Sequence, residues 1–122
     1  MPPIERLTDA ERRTIRSALF AELARTEEQA ASLARQFDDI VAAADTSNID
    51  DEHDPEGTTI AFERSQVSAL HAQALHDMAA LQRTLVDLDD EDFGACDDCG
   101  NAIGFERLVA LPAARRCVNC AR

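Results

Sequence analysis

The sequence predicts a mainly α fold: a long antiparallel coiled-coil hairpin followed by a small module held by cysteines. Three observations carry this. Apolar residues recur with heptad spacing in two stretches, separated by a segment with Pro, Gly and many carboxylates. The chain is rich in Ala, Leu, Glu, Gln and Arg, which favour helix, and its five Phe with no Tyr or Trp leave little to fill a thick core. Its only four cysteines stand at the end as two Cys-x-x-Cys pairs.

The first helix is predicted from a capping box. In Thr8-Asp9-Ala10-Glu11 the Thr8 hydroxyl can accept from the Glu11 N–H while the Glu11 carboxylate accepts from the Thr8 N–H. Ile15 and Leu19 lead into a seam that steps by three and four through Leu23, Thr26, Ala30, Leu33, Phe37, Ile40 and Ala44. No Gly or Pro interrupts residues 4–54. A helix over about 9–44 follows, on the order of 54 Å long.

From Asp45 to Thr59 the pattern breaks. Asp54-Pro55 could cap a second helix with Pro in its first turn, while Thr58 or Thr59 is a later candidate cap. Ile60, Val67, Ala74, Leu81 and Leu88 then recur every seven residues, with Leu70, Met78 and Leu85 beside them. This predicts helices over about 9–44 and 59–89 with a tip at 45–58. The same seam could instead pair two chains, but the Pro/Gly break and near-equal helix lengths favour a hairpin.

Residues 1–92 thus form the N-terminal segment and hairpin, and 93–122 the cysteine module. Cys96-x-x-Cys99, seventeen intervening residues and Cys117-x-x-Cys120 have the spacing of a tetrahedral thiolate site for one structural Zn²⁺. All four positions are filled by protein, which leaves no place for a reactive water. Gly100, after the first pair, supplies the positive φ that such a knuckle needs. Arg115 and Arg116 are expected to offset part of the charge of a four-thiolate centre. A thioredoxin-like redox pair would need a βαβ context that is absent, and a disulfide framework would need an oxidising compartment.

Cys96, Cys99, Gly100, Ile103, Gly104, Arg107, Leu108, Ala110, Pro112, Cys117 and Cys120 fall, without a gap, at the mutual spacings of the DksA/TraR-type zinc-finger signature. Asp92-Phe93-Gly94 is similar to that family's approach to the finger. Eleven positions of mixed type are specific; the cysteine spacing alone is shared with GATA-type fingers. The resemblance implies a non-catalytic transcription regulator that binds bacterial RNA polymerase. It further implies that a hairpin enters the polymerase's secondary channel, so that an acidic tip approaches the catalytic Mg²⁺. Asp50, Asp51, Glu52, Asp54 and Glu56 are the tip candidates.

This sequence departs from the family at two places and stops early. The family's tip, Asp-x-x-Asp-x-Ala, lands on His53, Glu56 and Thr58, or one residue on at Asp54, Gly57 and Thr59, so either register keeps one of two acids. The basic residues that hold guanosine tetraphosphate in responsive members match Leu111, Ala121 and Ala80, so the alarmone is not expected at that interface. The sequence ends two residues after Cys120, and so resembles a short member without the family's C-terminal helix.

Charge narrows the alternatives. The net charge is −12, and residues 36–63 carry nine carboxylates and no basic residue, which repels a phosphate backbone. A nucleic-acid-binding finger on a dimeric coiled coil is therefore disfavoured, as is sequence-specific DNA binding. A structural adaptor is the other alternative. An EF-hand beginning at Asp50 fails, because Pro55 stands where the sharp turn needs Gly and Ala61 where a bidentate carboxylate is needed. His53, His71 and His76 are expected to be solvated. The start of the chain has no apolar signal core and no run of eighteen apolar residues occurs, so a cytoplasmic protein without membrane contact is expected. No nucleophile–base pair or open metal position suggests an enzyme.

Overall fold

The computed structural model describes residues 6–46 and 55–121 of the chain; the side chains of 45, 46, 55 and 56 are not described. It holds α1 (Asp9–Thr46), α2 (Pro55–Asp87) and the short α3 (Phe105–Ala110). Apart from one isolated antiparallel bridge, Ala95 to Ala102, no strand occurs among the described residues. The fold is mainly α, with the two long helices packed together and the cysteines gathered near the C-terminus.

α1 begins where its capping box dictates. The Thr8 N–H donates to Glu11 Oε1 at 2.9 Å, and the Glu11 N–H donates to Thr8 Oγ1 at 3.0 Å. Two otherwise orphaned donors are satisfied reciprocally. α2 begins at Pro55, the earlier of its two candidate starts and four residues before the expected Thr59. Pro suits a first turn because its fixed φ is helical and its missing N–H would have no partner there. The helix ends at Asp87, two residues short of the expected 89.

The chain divides into two compact units. A finger-bearing unit comprises the chain up to Ala24 and from Ala79 onward; a mid-chain unit comprises Arg25–Met78. In the finger-bearing unit, Ile15 and Leu19 of α1 and Leu81 and Leu88 of α2 share one buried cluster with Cys96, Ile103, Leu108 and Cys117. The finger's core and the helix pair's core are therefore continuous there. In the mid-chain unit Ala30, Leu33 and Ala74 are buried, with Val67 and Met78 packed on them.

Every predicted α1 seam position from Ile15 to Ala44 is buried or half-buried. On α2 the seam differs at one place. Leu70 is 49% exposed, and the half-buried residue is His71, contrary to its expected solvation. The lane through Met78 and Leu85 recurs at seven, and seven before Met78 is His71; register rather than polarity decides which residue turns inward. His76 is exposed.

Arg12 fastens the end of α2. Its Nη1 donates to the carbonyls of Leu88 and Asp90, the latter at 3.1 Å. These carbonyls lie in the residues directly after α2, where oxygens lack helical partners and a cation is favourable. Arg16 pairs with Asp89 at 2.6 Å, and Arg115 of the finger pairs with Asp87 at 2.6 Å. Replacement Arg12→Ala is expected to cost about 1–3 kcal/mol, since it strips a charge-assisted donor from the Leu88 carbonyl in a part-buried bond as well as one from the exposed Asp90 carbonyl. Arg115→Ala breaks a half-exposed, solvent-screened pair and is expected to cost less than about 1 kcal/mol. Parallel urea melts of the two variants check the order.

Candidate metal centre

The last thirty residues make two knuckles around a short helix. The Ala95–Ala102 bridge folds the first pair back on itself, with the Cys96 N–H donating to the Asn101 carbonyl at 2.7 Å. The Gly100 N–H donates to the Cys96 carbonyl at 2.9 Å, and Gly100 has φ +76°. A Cβ there would meet nothing within 4 Å, so the conformation and not space calls for glycine. Gly94 is held by both: its φ is +98°, and a Cβ would lie 3.2 Å from Leu7 Cδ1. In the second knuckle the N–H groups of Cys120 and Ala121 both donate to the Cys117 carbonyl.

These turns bring the sulfurs of Cys96, Cys99, Cys117 and Cys120 within 4.8 Å of one another. Cys99 Sγ and Cys117 Sγ are 3.7 Å apart, too far for a disulfide at about 2.05 Å. Zn–S bonds of about 2.3 Å in a tetrahedron place sulfurs about 3.8 Å apart. The donor set and its spacing thus fit one structural Zn²⁺ held by these four residues, the bound ion supplying the charge that keeps four thiolates together.

The electrostatics say why an ion is needed. Cys96 is lowered to about 6, first by the backbone N–H of Cys117 and further by those of Cys99 and Asp98, against its burial. Cys120 is pushed up to about 12, foremost by hydrogen bonding with the Cys117 sulfur and next with that of Cys99. A cluster of thiols with no cation therefore ionises in part and holds its last proton. A divalent cation among them makes complete deprotonation favourable.

The other signature residues surround the site. Ile103 and Pro112 are buried, and Leu108 is the buried residue of α3. Arg107 donates from Nε to the Arg116 carbonyl at 3.1 Å and braces the second knuckle. Arg115 and Arg116, expected to offset the charge of the metal centre, direct their guanidiniums to Asp87 at 2.6 Å and Asp98 at 3.6 Å. Nearby carboxylates claim them first. The tip candidates Asp50, Asp51, Glu52 and Asp54 lie outside the described residues, as does the side chain of Glu56. No sequence motif marks Arg12, yet it lies seven residues before Leu19 in the same heptad lane.

Comparison with known proteins places this geometry. Residues 91–122 match the prokaryotic dksA/traR C4-type zinc finger. The RNA polymerase-binding transcription factor DksA of Haemophilus influenzae is 49% identical over 43 residues, which cover 35% of this chain and 30% of that protein. DksA of Escherichia coli K12 is 48% identical over 40 residues, covering 33% of this chain and 26% of that protein. The chain thus matches less than a third of the length of these relatives. The structure of transcription factor DksA2 from Pseudomonas aeruginosa superposes with a TM-score of 0.74 at 17% identity, over 93% of this chain and 81% of that one, a likeness of fold. No described helix is long and apolar enough to cross a membrane. Residues 91–122 are thus similar in sequence to the dksA/traR C4-type zinc finger, and the paired helices are similar to DksA2 in fold.

Proposed function

We propose that the chain is a non-catalytic, cytoplasmic regulator that binds bacterial RNA polymerase and carries an acidic hairpin tip into the polymerase's secondary channel. The finger is the observation that supports this most: it is 48–49% identical to the matching part of proteins named RNA polymerase-binding transcription factor DksA. The paired helices supply the reach, since 38 residues of α1 at about 1.5 Å each give a helix on the order of 57 Å long. Asp50, Asp51, Glu52, Asp54 and Glu56 supply charge in the stretch of sequence from the end of α1 to the start of α2. Carboxylates brought near a catalytic Mg²⁺ alter its coordination and the field felt by an incoming nucleotide, which changes polymerase behaviour without chemistry by the regulator.

The test is binding of the zinc-loaded protein to its cognate purified polymerase, beside a variant with Asp50, Asp51 and Asp54 changed to Asn and Glu56 to Gln. Both proteins are expected to bind, and only the wild type to change transcript output. Failure of both proteins to bind at micromolar concentration overturns the reading. Guanosine tetraphosphate is not expected to raise the affinity of the complex, because Leu111, Ala121 and Ala80 offer no cation. Alarmone binding that disappears on mutating Leu111 or Ala121 would refute that part.

A further inference from the structure

We propose that the described parts of the mid-chain unit, 25–46 and 55–78, open by local unfolding while the finger-bearing unit stays folded, so that α1 and α2 each pass through two cooperative units of unequal stability. The inference concerns the free protein and does not depend on the polymerase reading.

Packing is the first argument. The residues buried in the mid-chain unit, among those described, are Thr26, Ala30, Leu33 and Ala74. One Leu among two Ala and a Thr removes little apolar surface from water. The finger-bearing unit instead buries Ile15, Leu19, Leu81, Leu88, Ile103 and Leu108 beside its cysteines. On the mid-chain part of α2 the lane of Met78 continues at His71 and Arg64, while Phe62 and Leu70 are 69% and 49% exposed. Val67 and Met78 pack on the seam there, but the larger Phe62 and Leu70 stand off it.

Charge acts in the same direction, and three of the polar pairs there are local. Arg35 pairs with Glu28, Gln36 donates to Ser32, and Gln73 donates to Asp77, all within single helices. Such contacts support a helix but do not hold two together. In the finger-bearing unit Arg12, Arg16 and Arg115 each reach a different element. Residues 25–78 carry twelve carboxylates against Arg25, Arg35 and Arg64, so the mid-chain unit repels itself at low salt. Helices in proteins draw most of their stability from tertiary packing, and segments with few buried apolar contacts exchange their amides through local opening.

The experiment is hydrogen exchange, read by mass spectrometry, on the full zinc-loaded chain and on Leu33→Ala. In the wild type, amides in 28–44 and 60–76 are expected to exchange about tenfold or more faster than those in 13–24 and 80–87, as for units of separate opening free energy. Adding salt to about 0.3 M, where the Debye length falls to about 6 Å, narrows that gap. Leu33→Ala accelerates exchange in the mid-chain peptides and leaves the finger-bearing peptides and zinc content unchanged. Equal protection in both sets of wild-type peptides overturns the proposal. So does a Leu33→Ala variant in which both sets lose protection together, since the chain would then open as one unit.

Discussion

Removing zinc with a chelator is expected to unfold residues 93–121 and to destabilise the helix ends packed on them. The first part follows from size. The finger's buried residues are Cys96, Ile103, Leu108, Pro112 and Cys117, and a core this small does not hold thirty residues by itself. Structural zinc sites contribute about 10–16 kcal/mol at neutral pH, which here is folding free energy. The second part follows from continuity: Ile15, Leu19, Leu81 and Leu88 share their cluster with those finger residues, and Arg115 of the finger holds Asp87. Losing the finger leaves one side of that cluster to water. Circular dichroism on titration with a strong chelator is expected to show a loss of helix larger than the six residues of α3 account for. Cys96→Ser should behave like the chelated protein whatever metal is supplied. A helical signal unchanged by metal removal would mean that the helix pair does not rely on the finger.

What sequence reveals here and what it hides follow from the kind of interaction involved. The seam from Ile15 to Ala44 was legible because burial in a helix pair repeats at fixed spacing. The four cysteines were legible because metal ligation needs particular residue types at short separations. His71 was misread because an apolar neighbour, Leu70, made polarity look decisive where register is. Thr84 was missed for a related reason. It is 1% exposed, yet its hydroxyl donates to the Ala80 carbonyl at 2.8 Å, and that local bond lets a polar residue be buried. Arg12 escaped because its partners are backbone carbonyls distant in sequence, which no side-chain pattern announces. The pairing of Arg115 with Asp87 is of the same kind: nothing in the order of residues says that the second knuckle faces the end of α2.

The neighbours Leu108 and Val109 offer a test of the packing argument within one turn of helix. Leu108 is fully buried in the cluster that joins finger and helices, while Val109 is 36% exposed. Truncating the first removes about three methyl or methylene groups from a site closed on several sides, by Gly94 among others, whose Cβ position lies 3.8 Å from Leu108 Cδ1. The walls cannot collapse freely, because they include metal ligands and a glycine fixed at positive φ. Leu108→Ala is therefore expected to cost about 2–5 kcal/mol, toward the upper end of that range because a cavity remains. Val109→Ala loses contacts that water already shares, and should fall within about 0.5 kcal/mol of the wild type, helped by the better helix propensity of Ala. Denaturant unfolding of the zinc-loaded proteins distinguishes them, with the metal content of each measured beforehand so that ligand loss is not mistaken for a packing defect. If the two variants cost alike, α3 does not dock as its burial implies, and the continuity between finger and helices is weaker than the shared cluster suggests.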